Sequence, residues 1–261
     1  MARFETSGAV LDHSTVGMRG PTVVRLHGLT SSRRRDALLG VDVTRELGDR
    51  RVLAYDARGH GRSTGRPVPE DYRWSALASD LAELLDDVAP GESVVGAGVS
   101  MGSGTLMHLA VREPERFRAL VLTLPPTAWS TRAAKAGTYE AAARAVETHG
   151  LHRFLGAAQA AHVRAPAALG PDDTTPEVTE RLLPSVYRGA ALSDLPAPAD
   201  LAALEMPVLI QAWVEDVTHP LSTAEQLHAL IRGSELMVAR TPDDTRDWPR
   251  RTARWLDDVV G

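Results

Sequence analysis

The chain has 261 residues, of which 43% are hydrophobic and 24% are charged, and its formal net charge is −5. These values are ordinary for a globular protein, and the mildly acidic balance gives no electrostatic reason to expect a nucleic-acid partner. There is no cysteine, which excludes thiolate nucleophiles, iron–sulfur clusters and disulfides. Covalent chemistry must use other nucleophiles, and Lys135 is the only lysine among them.

Six short apolar runs alternate along the chain with segments that have helical spacing. The runs lie at residues 23–26, 51–55, 93–97, 119–122, 207–212 and 235–239. Helical periodicity occurs at residues 74–88, 101–111, 227–231 and 248–259. This alternation predicts an α/β fold, with a mainly parallel sheet buried between helices. Residues 3–12, before the first run, predict an edge strand or hairpin.

Residues 125–200 interrupt the alternation, because no strand-like run occurs among them. Helical spacing is visible near residues 133–147 and 151–161, and six prolines follow between positions 166 and 198. Such a stretch is too long for a loop without structure of its own. We therefore predict a core formed by residues 1–124 and 201–261, with residues 125–200 as a helical insertion over one end of the sheet.

Residues 98–102 read Gly-Val-Ser-Met-Gly, a G-x-S-x-G pattern with a strand before it and a helix after it. Such a sharp turn holds the serine hydroxyl above the sheet, where it can act as a nucleophile. The N-terminus of the following helix offers N–H groups and positive potential to a developing oxyanion. These features predict Ser100 as the nucleophile and the Met101 N–H as one donor of an oxyanion hole.

Residues 27–29 read His-Gly-Leu and follow the first apolar run directly. Where a nucleophilic serine lies at a sharp turn between a strand and a helix, the second N–H donor of the oxyanion hole comes from a loop that follows an earlier strand, as this one does. We predict the Leu29 N–H as that donor. We interpret His27 as a structural histidine, bonded to backbone, at the wall of the substrate pocket.

These motifs, with residues 56–63 (Asp-Ala-Arg-Gly-His-Gly-Arg-Ser), resemble those of the α/β-hydrolase family. The resemblance covers nearly the whole chain, and the motifs occur in the family's order. It implies that Asp56, Arg58 and His60 brace loops and that the insertion is the family's cap domain, which roofs the pocket.

A later stretch, residues 213–220, is similar to the family's G-x-x-D-x-x-x-P pattern, with Trp213 in place of the glycine. The resemblance implies that Asp216 is the acid of a Ser–Asp–His triad. Its task is to orient a histidine and to stabilise the imidazolium. The neighbouring Glu215 is interpreted as a solvated carboxylate.

The sequence departs from the family at the triad histidine. In this fold the histidine follows the acid in the chain and lies in the loop after the last strand. Here that loop, residues 240–247, contains no histidine, and the last histidine of the sequence, His228, precedes the strand.

Three hypotheses follow for the partner of Ser100. The base is His219, three residues after Asp216, if its ring comes within about 3 Å of the serine oxygen. Alternatively Asp244, or its neighbour Asp243, takes the position of the histidine, with a pKa raised by burial and by Asp216. In the third hypothesis Ser100 is not an efficient nucleophile, and the protein is a small-molecule binder or a cofactor-free lyase or cyclase.

We predict a serine hydrolase of a small carboxylic ester or lactone, with Ser100 as nucleophile, Asp216 as acid and His219 as base. Serine acyl transfer requires neither a cofactor nor a metal. The apolar pocket is expected to be shaped by aromatic side chains of the insertion: Trp129, Tyr139, Phe154 and Tyr187. Without an apolar leader or a membrane-length apolar stretch, we expect a cytoplasmic protein with no membrane partner. We expect a small-molecule substrate as the binding partner, and a homodimer is one possible oligomeric state.

Overall fold

The computed structural model describes residues 2–160, 175–214, 216 and 218–261, and the chain begins with an antiparallel hairpin. Strand β1 (Ala2–Thr6) pairs with β2 (Ala9–Val16). Strand β2 then pairs, also antiparallel, with β4 (Arg50–Tyr55), so the hairpin forms one edge of the main sheet. The hairpin predicted for residues 3–12 is present and extends further along the chain.

The remaining strands form a parallel sheet. They are β3 (Arg19–Leu26), β5 (Val94–Val99), β6 (Phe117–Thr123), β7 (Val208–Trp213) and β8 (Glu235–Ala239). The strand order is β1-β2-β4-β3-β5-β6-β7-β8, and every neighbouring pair from β4 to β8 is parallel. The predicted fold class is therefore confirmed. The carboxyl ends of parallel strands meet at one edge, where sheets of this type place their ligand sites.

Helices cover both faces of the sheet because successive side chains of a buried strand point to opposite faces. In β6, Leu120 and Leu122 pack in one hydrophobic cluster, and Ala119 and Val121 pack in the other. The first cluster includes residues of α2 (Trp74–Val88), α3 (Met101–Arg112) and α7 (Leu221–Leu230). The second includes residues of α9 (Trp248–Val260). Two short helices, α1 (Arg33–Leu38) and α8 (Pro242–Arg246), follow β3 and β8.

The segment between β6 and β7 is helical where it is described. Helix α4 (Arg132–Ala160) is interrupted at Gly150, whose φ is 78°, and α5 (Leu183–Ala191) and α6 (Pro198–Leu201) follow. The two predicted helical stretches correspond to the two parts of α4, although Ala161 lies outside the described residues. Helix α5 was not predicted, because Pro184 at its start belongs to the proline-rich stretch that obscured the helical spacing. Among the described residues, no helix is long and apolar enough to cross a bilayer.

The run of arginines at positions 33–35 is divided between surface and interior, because Arg34 is exposed whereas Arg33 is largely buried. The Arg33 side chain is only 10% exposed; it forms an ion pair with Asp12 and lies near the Asp56 carboxylate. It also donates to the Asp12 carbonyl at 2.7 Å. Arg33 therefore ties the start of α1 to β2 and to the end of β4.

Two glycines allow the backbone to approach closely around Ser100. A Cβ atom on Gly98 would lie 2.5 Å from the carbonyl carbon of Gly102, and one on Gly102 would lie 2.6 Å from the Leu26 carbonyl oxygen. Contacts this short with backbone cannot be relieved by a side-chain rotation. The G-x-S-x-G spacing is thus required by the packing of β5, α3 and β3.

Replacing Gly102 with alanine is expected to destabilise the protein by about 1–3 kcal/mol, the usual cost of overpacking. The matched control is Gly137→Ala in α4, where a Cβ would meet nothing within 4 Å. There the loss of glycine's backbone freedom is expected to stabilise the helix by about 0.5–1 kcal/mol. Urea unfolding measures both changes. Equal unfolding midpoints for Gly102→Ala and the wild type would contradict the close-approach account.

Candidate active site

Ser100 lies at the sharp turn between β5 and α3, in a backbone conformation that is rare for a residue with a side chain. Its φ is 51° and its ψ is −108°. Such strain costs about 1–3 kcal/mol and persists only when surrounding contacts hold it. The Ser100 N–H donates to the Thr123 carbonyl at 3.0 Å, which holds the turn against the end of β6.

The side chain that meets the Ser100 hydroxyl is His219. The distance between Ser100 Oγ and His219 Nε2 is 2.8 Å, and the distance between His219 Nδ1 and Asp216 Oδ2 is 2.7 Å. With Nδ1–H donating to the carboxylate, Nε2 accepts the hydroxyl proton, which is the arrangement of a nucleophile and its general base. The structure therefore brings together Ser100, Asp216 and His219, although two of them share one loop.

Asp216 uses its other oxygen to shape that loop. Its Oδ1 accepts hydrogen bonds from the N–H groups of Thr218 at 2.7 Å and His219 at 3.0 Å, so the chain turns back toward the carboxylate. The side chain is 2% exposed, and that of His219 is 17% exposed. Burial alone would raise the pKa of Asp216, but the His219 ring and the two N–H groups together hold it below its ordinary value.

The loop after β3 lies directly against Ser100. A Cβ atom on Gly28 would lie 3.7 Å from the Ser100 Cβ, an ordinary van der Waals distance, so Gly28 is a direct neighbour of Ser100. Leu29 is the next residue, and Met101 is the first residue of α3. The first N–H groups of a helix have no acceptor within that helix. The N–H groups of Leu29 and Met101, both predicted oxyanion donors, thus belong to residues adjacent to the hydroxyl.

Asp36 braces the same loop and was not found from the sequence. It is 3% exposed, its Oδ2 accepts from the Gly28 N–H at 3.2 Å, and its Oδ1 accepts from the Ser31 hydroxyl. Burial raises the pKa of Asp36 to about 6, against the opposing effects of the Ser31 hydrogen bond and the Arg25 charge. No local pattern marks it, because it follows an arginine run on a short helix.

His27 lies behind this loop and is bonded to backbone, as expected. Its Nε2 accepts from the Ala57 N–H at 2.9 Å, and its Nδ1 lies 2.8 Å from the Gly28 carbonyl oxygen. Burial lowers its pKa to about 4, so the ring is neutral near pH 7. It is 3% exposed and supports the loop from behind rather than presenting a polar surface to a ligand.

Asp244, the alternative base, forms contacts that differ from those the hypothesis required. Its Oδ2 accepts from the N–H groups of Arg240 and Thr241, both at 2.8 Å, in a capping box at the start of α8. These hydrogen bonds lower its pKa, whereas a base at neutral pH needed a raised one. Asp244 is half-buried, and its exposed neighbour Asp243 forms an ion pair with Arg246. The Asp244 carboxylate therefore caps a helix, and the Asp243 carboxylate pairs with an arginine of the same helix.

Trp129 lies at the start of the helical segment above the sheet. Its N–H donates to Asp194 Oδ1 at 2.9 Å, and its indole Nε1–H donates to the Pro196 carbonyl at 3.1 Å. It packs against the same hydrophobic cluster as Leu29. The indole thus presents apolar surface near the loop after β3, with its polar atom already bonded.

No group of three or more histidine, aspartate or glutamate side chains within the described ranges is arranged to hold a metal ion. The neighbour of Asp216, Glu215, lies outside those ranges. The groups that the structure brings together at the site are the side chains of Ser100, His219 and Asp216 and nearby backbone N–H groups.

Comparisons with known proteins agree with the fold. The family model for the alpha/beta hydrolase fold matches residues 21–174. The 3-oxoadipate enol-lactonase 2 of Acinetobacter baylyi is 30% identical over 201 residues, which cover 72% of this chain and 69% of that protein. An sn-1-specific diacylglycerol lipase of Mus musculus is 35% identical over 127 residues, 49% of this chain and 40% of the lipase. The crystal structure of a hydrolase from Pseudomonas aeruginosa has a TM-score of 0.80 at 23% identity, covering 100% of this chain and 98% of its own.

The buried Asp36 predicts a specific pH dependence of stability. Its pKa is 3.8 when unperturbed and about 6 in the folded protein, so the folded state binds its proton more tightly. The contribution of Asp36 to the free energy of unfolding is therefore fully present below about pH 4. It is lost as the pH rises through about 6, a decrease of about 3 kcal/mol. Asp36→Asn removes this dependence, because asparagine cannot ionise.

Urea unfolding near pH 4 and near pH 8 gives the difference in free energy of unfolding between variant and wild type at each pH. The contributions of the other titrating groups cancel in this difference. The exposed Asp243→Asn is the control and is expected to leave the difference near zero. If Asp36→Asn follows the wild type at both pH values, the burial argument for Asp36 is wrong.

Proposed function

Because the chain belongs to the α/β-hydrolase fold family and is a hydrolytic enzyme of that fold, we propose that it cleaves a small carboxylic ester or lactone through an acyl-enzyme at Ser100. The observation that carries the proposal is the hydrogen bond of 2.8 Å between Ser100 Oγ and His219 Nε2. A serine hydroxyl is a weak nucleophile unless a base accepts its proton as it attacks.

In the first half of the reaction, Ser100 Oγ forms a bond to the ester carbonyl carbon while its proton passes to His219 Nε2. The carbonyl oxygen becomes an oxyanion, which the N–H groups of Leu29 and Met101 stabilise. His219 then gives the proton to the alkoxide as the ester C–O bond breaks. Asp216 stabilises the imidazolium between the two transfers and keeps Nε2 directed at Ser100.

In the second half, water takes the place of the alcohol. His219 removes its proton, the hydroxide attacks the acyl carbon, and the proton returns to Ser100 as the acyl-enzyme bond breaks. In a lactone the leaving alkoxide remains attached to the acyl group, so a single hydroxy acid is released. The same residues serve both halves, and no cofactor is required.

The competing hypothesis, a non-hydrolytic protein of the same fold, requires that Ser100 lack a base. The hydrogen-bonded chain from Ser100 through His219 to Asp216 favours the hydrolase. The enol-lactonase and lipase relatives support the same choice of reaction class.

The base is tested by His219→Ala, which is expected to lower kcat for p-nitrophenyl esters by about 10³-fold or more. Asp244→Asn is the matched control and is expected to leave kcat within about twofold, because it removes only a cap. A fluorophosphonate probe should label the wild type and the control rapidly, His219→Ala slowly, and Ser100→Ala not at all.

Far-ultraviolet circular dichroism establishes that each variant is folded before rates are compared. Unchanged turnover in His219→Ala would exclude this base, and a large loss in Asp244→Asn would favour the alternative. If the folded wild type neither reacts with the probe nor hydrolyses any ester tested, the acyl-enzyme proposal fails.

A further inference from the structure

Lys135 is the only lysine in the chain, and it lies near the start of α4 in a half-buried position. Its Nζ is 5.5 Å from the centroid of the Tyr139 ring. An ammonium is strongly hydrated, so partial burial carries a cost that an opposite charge normally offsets. The described residues provide no ion pair for it, since none of their carboxylates lies within 4.0 Å of Nζ.

The neighbouring cation, Arg132, is satisfied by the protein. Its guanidinium donates to the Ser193 carbonyl at 2.6 Å, to the Ala190 carbonyl, and to the Thr127 hydroxyl at 3.2 Å. It also lies 4.3 Å from the centroid of the Trp74 ring. Arg132 is thus a structural cation, whereas the ammonium one turn further along α4 remains available.

Lys135 stands at one end of an aromatic wall formed by Tyr139, Tyr187 and Phe154. The Tyr139 and Tyr187 rings are stacked with centroids 6.2 Å apart, and Phe154 meets Tyr187 edge-on at 6.1 Å. Tyr187 and Phe154 pack against the same small hydrophobic cluster as Leu29. Lys135 thus stands beside one end of the wall, and the other end packs on the cluster that Leu29, the neighbour of Gly28, also contacts.

Electrostatics connect Lys135 to the same site. Burial lowers the pKa of Lys135, and the opposing carboxylate is that of Asp216. Asp216 is not available as a partner, because its two oxygens are bonded to the His219 ring and to the N–H groups of its own loop. The ammonium thus lies within the field of the Asp216 carboxylate, and no carboxylate in the described part of the chain forms an ion pair with it.

We propose that Lys135 binds a carboxylate of the substrate, so that the ester or lactone cleaved at Ser100 carries an anionic group on its acyl part. This assignment rests on the proposed function. The carboxylate would contact the ammonium, and the apolar chain between it and the scissile bond would lie along the aromatic wall. Lys135 is then a specificity-determining residue that takes no part in proton transfer.

Two p-nitrophenyl esters test the proposal: the monoester of glutaric acid, whose acyl chain ends in a carboxylate, and the uncharged hexanoate. Lys135→Met keeps the length of the side chain and removes its charge. It is expected to lower kcat/KM for the charged ester by about tenfold to a hundredfold, mainly through KM, which is the effect of a lost charged hydrogen bond. The hexanoate should be hydrolysed within about twofold of the wild-type rate, and Lys135→Arg should retain most of the preference.

A binding measurement separates this proposal from the proposed function. Calorimetry can measure the binding of the charged ester to Ser100→Ala, because this variant does not turn the ester over. The double variant Ser100→Ala, Lys135→Met is expected to bind the same ester at least about tenfold more weakly than Ser100→Ala does. Equal binding by the two proteins, or equal losses for both esters in Lys135→Met, would overturn the carboxylate site. If the wild type hydrolyses neither ester but the double variant still binds the charged ester more weakly than Ser100→Ala does, the acyl-enzyme proposal fails and the carboxylate site is supported.

Discussion

The two oxygens of the Asp216 carboxylate perform different tasks, and the arrangement of the site depends on this division. Oδ1 accepts from two backbone N–H groups and turns the loop back on itself, and Oδ2 bonds to the ring of His219. Without the hydrogen bonds to Oδ1, the ring of His219, only three residues further along the chain, would not be held against the Asp216 carboxylate. Low exposure strengthens these bonds, because little water competes for the oxygens.

The carboxyl edge of the sheet also holds the strained residues. Among the described residues, four that are not glycine have a positive φ: Thr30, Ser100, Leu124 and Trp129. They follow β3, β5 and β6, and each is held by a hydrogen bond of its backbone. The Leu124 N–H donates to the Gln211 carbonyl at 2.7 Å, and the Thr30 carbonyl accepts from the Glu177 N–H at 2.8 Å. Strain at functional loops persists when regular structure on both sides over-determines it.

Buried charges fix the loops that this edge presents. Arg58 pairs with Asp80 at 2.6 Å, and Arg33 pairs with Asp12 near Asp56, so the segment after β4 is tied to α2, β2 and the start of α1. Breaking such a pair leaves an uncompensated buried charge, which costs about 3–5 kcal/mol. Asp36 performs a similar task for the loop after β3. Catalytic geometry therefore depends on ionic and hydrogen-bonded braces as well as on the hydrophobic core.

The resemblance to the family implied the acid at Asp216, and local patterns in the sequence were enough to predict the strands, the principal helices and the turn at Ser100. Each is encoded within a few neighbouring residues, by apolar periodicity or by glycines at fixed spacing. The partner of Ser100 was left open between His219 and Asp244, since each stands 119 or more positions away and only folding sets the distance. Only the tertiary structure places one of the two side chains beside Ser100: the Asp216 carboxylate turns the loop of His219 toward Ser100, whereas the Asp244 carboxylate caps a helix. The burial of Asp36 and the partial burial of Lys135 were likewise determined by packing between distant segments, which no local pattern records.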